Sequence, residues 1–263
     1  MSALVVKIGG HALDDLSPSN AALVALAHDI LELREQNRPV LLVHGGGPQI
    51  DDLLALVGIE STFIDGLRVT DATTMHLVDL ALAGVNRALV TALRVNGVAA
   101  AGLSGVDGGL LTATSVGEPW GHVAQAPVTQ PAIIQALWSA GFTPVVSPVA
   151  ASLEGARLNC NADTAAGALA GALHCEGLLL LSDIDQLRLD PDDPTSGLAE
   201  VSLAEVDDMI LRGLARDGMR PKLAAAANAL TAGAQRVWLA NGTVVHALRD
   251  VLNATLVTTE VRH

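Results

Sequence analysis

Two short apolar runs end in glycine turns: Val5-Val6-Lys7-Ile8-Gly9-Gly10 and Leu42-Val43-His44-Gly45-Gly46-Gly47-Pro48-Gln49. Glycine has no Cβ, so its backbone N–H can approach an anion closely, and N–H groups at a helix start carry partial positive charge. Both turns suit a phosphate or a carboxylate. Neither continues into the Gly-Lys-Ser/Thr of a P-loop, and neither has the G-x-G-x-x-G spacing of a dinucleotide site. Of the 15 cationic residues only Lys7 and Lys222 are lysine. Arginine is a planar fork, whereas lysine is a compact point charge on a flexible stem, better matched to a phosphoryl group that moves. Each residue also has an ordinary reading: Lys7 as a snorkelling side chain, Asp163 as a helix N-cap, Arg68 as a surface cation.

The elements that must position these residues follow an α/β pattern, apolar runs of strand length alternating with segments of helical period. Strands are predicted at Leu4–Ile8, Val40–His44, Val98–Leu103, Pro144–Val149, Leu178–Ser182, Arg236–Ala240 and Leu256–Thr259. Between the first two, Leu23, Leu26, Ala27, Ile30 and Leu33 share one helical face, preceded by Ser17, Ser19 and Asn20 and closed before Pro39, which makes a βαβ unit. Further helices are expected near 72–95, 130–140, 163–173, 203–212, 220–232 and 244–252. Segments 60–70 and 108–127 read as hairpins, and 190–197 as an exposed acidic loop. In a parallel sheet the strand carboxyl ends form the ligand crevice, which is where both glycine turns fall.

At 263 residues and a formal charge of −13, the chain has length for a large core and no cationic cluster for nucleic acid. The apolar runs are interrupted short of a bilayer's thickness, so no membrane span is expected. The N-terminus enters its first strand with no export signal, and Cys160 and Cys175 show no metal-ligand spacing, so a cytoplasmic setting is expected. His44, His11 and the other histidines show no ligand spacing and receive no catalytic role.

Seven blocks carry a resemblance: Lys7-Ile-Gly-Gly10, His44-Gly-Gly-Gly-Pro-Gln49, Asp65-Gly-Leu-Arg-Val-Thr-Asp71, Gly102-Leu-Ser-Gly-Val-Asp-Gly108, Asn159-Cys-Asn-Ala-Asp163, Leu181-Ser-Asp183 and Gly218-Met-Arg-Pro-Lys222. In this order they resemble the amino acid kinase family over nearly the whole chain. The resemblance implies a three-layer αβα sandwich around a mainly parallel open sheet. It implies a substrate-binding and dimerising lobe at 1–174 and an ATP lobe at 175–263. The activity it implies is transfer of a phosphoryl group from MgATP to the side-chain carboxylate of N-acetyl-L-glutamate in arginine biosynthesis.

Residue by residue, the resemblance makes Lys7, Lys222 and Asp163 the catalytic core, with the lysines on the phosphoryl group and Asp163 holding both. Gly45, Gly46, Gly47, Arg68 and Asn159 would meet the acetylated substrate, Arg68 through its α-carboxylate. Gly9, Gly10, Ser182, Asp183, Gly218 and Met219 would meet phosphates or nucleotide. No protein metal cage is implied, Mg²⁺ being held by the ATP phosphates. Val106, Gln186 and Asp217 depart from residues common in relatives, and Gln186 implies an altered path for the nucleotide loop. Family members inhibited by arginine carry an added N-terminal helix; this chain opens on its first strand, so a homodimer with little or no arginine inhibition is expected. An aminoadipate-type kinase of lysine synthesis and a non-catalytic sensor remain alternative readings.

Overall fold

A computed structural model describes residues 2–9, 13–190, 193, 195–212 and 219–263. In chain order the strands are β1 Leu4–Ile8, β2 Val40–His44, β3 Phe63–Ile64, β4 Leu67–Arg68, β5 Ala100–Ser104, β6 Leu111–Gly117, β7 Gly121–Thr129, β8 Thr143–Ser147, β9 Val149–Ala151, β10 Arg157–Asn159, β11 Gly177–Ser182, β12 Glu200–Ser202, β13 Val237–Asn241 and β14 Thr258–Arg262. The helices are α1 Ala21–Glu35, α2 Gly47–Leu56, α3 Ala72–Val95, α4 Ala132–Ser139, α5 Ala162–Ala172, α6 Leu203–Leu211, α7 Met219–Thr231 and α8 Ala247–Leu252.

Every residue of β1, β2 and β11 is buried, because helices cover both faces of the sheet they share. That sheet has eight strands in the order β12-β14-β13-β11-β1-β2-β8-β5. All neighbours run parallel except β13 with β14. The period of two sorts β1 between two cores: Val5 packs with α4, α5, α6 and α7, while Leu4, Val6 and Ile8 pack with α1, α3 and α8. Three layers result, as the resemblance implies. Lys7 is two residues beyond Val5, so it shares the face covered by α5 and α7.

Those two helices approach closely because α5 is built from alanine and glycine. A Cβ on Gly167 would stand 2.7 Å from the Ala225 carbonyl oxygen, too close for any side chain, and Gly171 is similarly pressed by Ala232. A larger residue at 167 would push α7 outward and separate what the two helices bring together.

Several boundaries differ from the sequence reading. Helix α2 was not foreseen, although Pro48 in its first turn is where a helix tolerates proline. The single strand expected at Pro144–Val149 breaks into β8 and β9 around Pro148, and β9 joins β10, β7 and β6 in a small closed barrel. The hairpins appear as β3–β4 and β6–β7. Strand β14 lies closer to the C-terminus than expected, and β12 was missed. Helix α3 is long and apolar enough to span a bilayer by length and composition alone, although Asp79, Asn86 and Arg87 interrupt it. Its Met75, Val78, Leu82, Leu89 and Leu93 are buried in the protein core instead. Pro191, Asp192 and Pro194 of the expected acidic loop lie outside the described residues.

Candidate active site

Strand register aligns the carboxyl ends that matter. Ile8 lies beside His44 of β2 and Leu181 of β11, and Leu181 lies beside Ala240 of β13. Gly45, Gly9, Ser182 and Asn241 therefore follow one another across the end of the sheet. The Gly45 N–H donates to the Ile8 carbonyl at 2.8 Å and ties the two glycine turns together, and the Gly242 N–H donates to the Ser182 carbonyl at 2.7 Å.

Into this row come the two lysines. Lys7 Nζ lies 2.9 Å from Asp163 Oδ1 and Lys222 Nζ lies 3.5 Å from Asp163 Oδ2. Lys7 and Asp163 are buried, and the Lys222 side chain is only 13% exposed, so these charges interact with little solvent screening. Among the described residues Oδ1 meets its cation, Lys7, as a close ion pair. Burial pushes the Asp163 carboxyl up, but the Lys7 and Lys222 charges outweigh it and hold the group below the ordinary carboxylate value. The N-cap of α5 is Asn161, not Asp163 as its ordinary reading would have it; the Asn161 side-chain oxygen accepts from the Asp163 and Thr164 N–H groups at 2.9 and 3.1 Å. Asp163 sits in the first turn of α5, where an anion is also favoured by the helix dipole. Lys7 does not snorkel to solvent.

Gly9 has a specific reason to lack a side chain: a Cβ there would collide with the Lys7 ammonium. The obstacle is the end of a flexible side chain, so Gly9→Ala is expected to leave the melting temperature almost unchanged. It must displace the ammonium, however, and is expected to lower kcat by ~10–10²-fold, the usual cost of moving a positioned group by about an ångström. Thermal melting alongside steady-state kinetics checks both halves.

Arg68, at the end of β4, is no surface cation. It is 7% exposed, lies 4.6 Å over the Phe63 ring, and pairs with Asp51 of α2 at 2.5 Å. Ser61 bonds both Arg68 and Asp51. Two residues on, the Thr70 hydroxyl donates to the Arg68 carbonyl at 2.7 Å and accepts from Asn159 Nδ2 at 3.2 Å. Arg68 and Asn159 thus belong to one network, joined through a buried threonine that the sequence reading did not single out. Asn159 stands two residues before the α5 cap Asn161.

Ser182 is buried with its hydroxyl unpartnered among the described residues, while Asp183 is exposed. Gln186 Nε2 donates to the Thr258 carbonyl at 3.1 Å and ties its segment to β14. Met219 opens α7 three residues before Lys222. Gly10 and Gly218, like Asp217, lie outside the described residues. Val106 is exposed, in the short loop after β5. Cys160 is buried and its thiol is pushed up to about 12 by that burial, so it stays protonated.

His44 was given no role in sequence, yet it is fully buried beside the second glycine turn. Its Nδ1 is 2.7 Å from the Gly45 carbonyl and its Nε2 is 3.1 Å from Asn86 Nδ2 on α3. Burial pulls its pKa down to about 4 from 6.5, against a smaller raising effect of the Gly45 carbonyl. Above pH ~6.5 the ring is neutral folded or unfolded. Between there and about 4 the unfolded chain binds a proton that the folded chain refuses, so stability falls on acidification, by roughly 1.4 kcal/mol per unit. Urea unfolding at pH 7 and pH 5 is expected to show this loss, and His44→Asn to lack it.

The amino acid kinase family pattern matches residues 2–241, and the chain belongs to that family. Among individual relatives, the acetylglutamate kinase of Symbiobacterium thermophilum is 40% identical, the match covering 93% of this chain and 86% of that one. The acetylglutamate kinase of Methanopyrus kandleri is 38% identical over 90% of this chain and 94% of its own. A solved structure of N-acetylglutamate synthase from Neisseria gonorrhoeae, complexed with coenzyme A and N-acetyl-glutamate, is similar with a TM-score of 0.82 at 26% identity, over all of this chain and 59% of that one.

Proposed function

We propose that the chain transfers the terminal phosphoryl group of ATP to the side-chain carboxylate of N-acetyl-L-glutamate, giving N-acetyl-L-glutamyl 5-phosphate and ADP in arginine biosynthesis. The observation that carries this reading is the pair of ammonium groups held on one buried carboxylate beside two glycine turns, in a chain about 40% identical to acetylglutamate kinases.

The chemistry needs little else. A carboxylate nucleophile is already ionised at neutral pH, so no general base is required, and the obstacle is bringing one anion against another. Lys7 and Lys222 neutralise the phosphoryl group in flight, Asp163 holds both in place, and the N–H groups of Gly9 and the Gly45–Gly47 turn face its oxygens, Gly10 being assigned to the same group by the resemblance. Arg68 receives the α-carboxylate of the substrate in exchange for part of its contact with Asp51, and Asn159 meets the same substrate. Ser182, Asp183, Gly218 and Met219 serve the nucleotide.

Asp163 is already shared by two lysines, so Mg²⁺ belongs on the ATP phosphates, where it supplies charge neutralisation when bound. We assign the acetylated substrate to residues 1–174 and ATP to 175–263, the lobes meeting where β1 lies beside β11. A cytoplasmic homodimer fits edge strand β5 and the exposed Leu80 and Val95 of α3; light scattering at twice the chain mass is the expected result. ADP release with MgATP should be strong on N-acetylglutamate and weak on N-acetylaminoadipate, N-acetylaspartate and free glutamate. Preference for the aminoadipate compound, or no turnover on any, would reject the reading.

A further inference from the structure

The Gly45–Gly47 turn is held from behind by His44 and Asn86. Asn86 Nδ2 donates to the Val145 carbonyl at 2.9 Å as well as approaching His44 Nε2 at 3.1 Å. The carbonyl fixes the orientation of the amide, since the opposite flip would set oxygen against oxygen. Nδ2 is therefore a donor, His44 Nε2 must be the acceptor, and the proton of the neutral ring is on Nδ1, where it donates to the Gly45 oxygen at 2.7 Å. Gly102 accommodates this arrangement, as a Cβ there would strike Asn86 Oδ1.

A trans peptide is planar, so fixing the Gly45 carbonyl fixes the Gly46 N–H pointing the opposite way, off the ring. Gly46 is buried, caps α2, and its N–H has no hydrogen-bond partner among the described residues. A buried N–H without a partner costs free energy unless a ligand supplies an acceptor.

We propose that His44 is a positioning residue for phosphoryl transfer: as the Nδ1–H tautomer imposed by Asn86, it locks the Gly45–Gly46 peptide so that the Gly46 N–H meets the phosphoryl or carboxylate oxygen in the site. This rests on the kinase reading for its ligand, though not for its tautomer. The low pKa of the ring keeps it neutral throughout the working range, so the lock does not titrate with activity.

Two substitutions separate donation from mere filling of space. Asparagine places its amide nitrogen where Nδ1 stood, whereas glutamine places its amide near Nε2. His44→Gln is expected to keep the contact with Asn86, lose the donor to Gly45 and lower kcat at least ~10-fold with a smaller change in KM. His44→Asn is expected to retain kcat within about threefold, since misdirecting one N–H donor is what costs rate. Nitrogen NMR of the histidine-labelled wild type should show His44 protonated on Nδ1 and bare on Nε2. A ring protonated on Nε2 would overturn the proposal whatever the substrate proves to be. So would folded variants whose kcat values fall equally or not at all. A wild type with the expected ring but no activity on N-acetylglutamate would reject the kinase reading and leave the tautomer established.

Discussion

Lys222→Ala is expected to lower kcat by about 10²–10³-fold while changing KM for ATP and for the acetylated substrate far less, the pattern of a group that acts chiefly on charge developing in the transition state. Its ammonium is 3.5 Å from Asp163, the longer of the two lysine contacts. On the proposed reading that longer contact lets it follow a phosphoryl group moving away from Lys7. The fold should survive, because α7 is anchored by Leu223, Ala226, Ala229 and Leu230 on its buried face and not by the lysine. Lys222→Arg is expected to rescue little: a planar guanidinium would engage the Asp163 carboxylate bidentately and remain there. Rates of the alanine and arginine variants measured beside wild type, with circular dichroism to verify folding, check this. An arginine variant near wild-type rate would mean that position 222 needs only a positive charge.

The second large effect is on Asp163. Asp163→Asn preserves shape but removes the charge that two ammonium groups share inside the protein, leaving Lys7 and Lys222 to repel one another. Removing one partner of a buried ionic cluster typically costs about 3–5 kcal/mol, and here the uncompensated partners are two. Activity should fall at least as far as in the Lys222 variant, since neither lysine retains its anchor. Nucleotide phosphates would supply the missing anion, so saturating MgATP should raise the melting temperature of Asp163→Asn by more than that of wild type. Equal shifts in the two proteins would mean that the phosphates do not lie between the lysines. Linkage gives the sign with pH. Asp163 has its carboxyl held below the ordinary value, so its stabilising contribution is complete above about pH 4 and is lost as pH falls through the folded value.

The parts of the fold visible in the sequence were those with a strong local cause. Strands β1 and β2 begin and end where their apolar runs do, and α3 spans the expected 72–95 because Asp71 caps it and no proline interrupts it. Helix α2 escaped because the glycine turn drew the reading to its backbone N–H groups, although Pro48 marked a helix start. The break between β8 and β9 is proline's effect on a strand, also legible but not used. Lys7 and Lys222 stood out by composition alone. What joins them, the α5–α7 contact allowed by Gly167 and Gly171, is tertiary and has no signature in local pattern.

The same limit applies to Arg68 and His44. Asp51 and Ser61 reach Arg68 from an unforeseen helix and from the loop before β3, and no spacing in the chain announces that pairing. In the sequence a histidine signals function by ligand spacing, which His44 lacks. A histidine that is buried, neutral and bonded to a backbone carbonyl and a distant asparagine carries no such signal. The ordinary reading of Asp163 as a cap fails because Asn161, two residues earlier, takes that place and leaves the aspartate to the lysines.

The most direct test of the central claim is the stoichiometry of the product: purified protein turning over MgATP and N-acetylglutamate with hydroxylamine present, hydroxamate and ADP being quantified together. The account predicts one hydroxamate per ADP, both disappearing in Lys222→Ala. ADP formed without hydroxamate, at a rate indifferent to N-acetylglutamate, would contradict it.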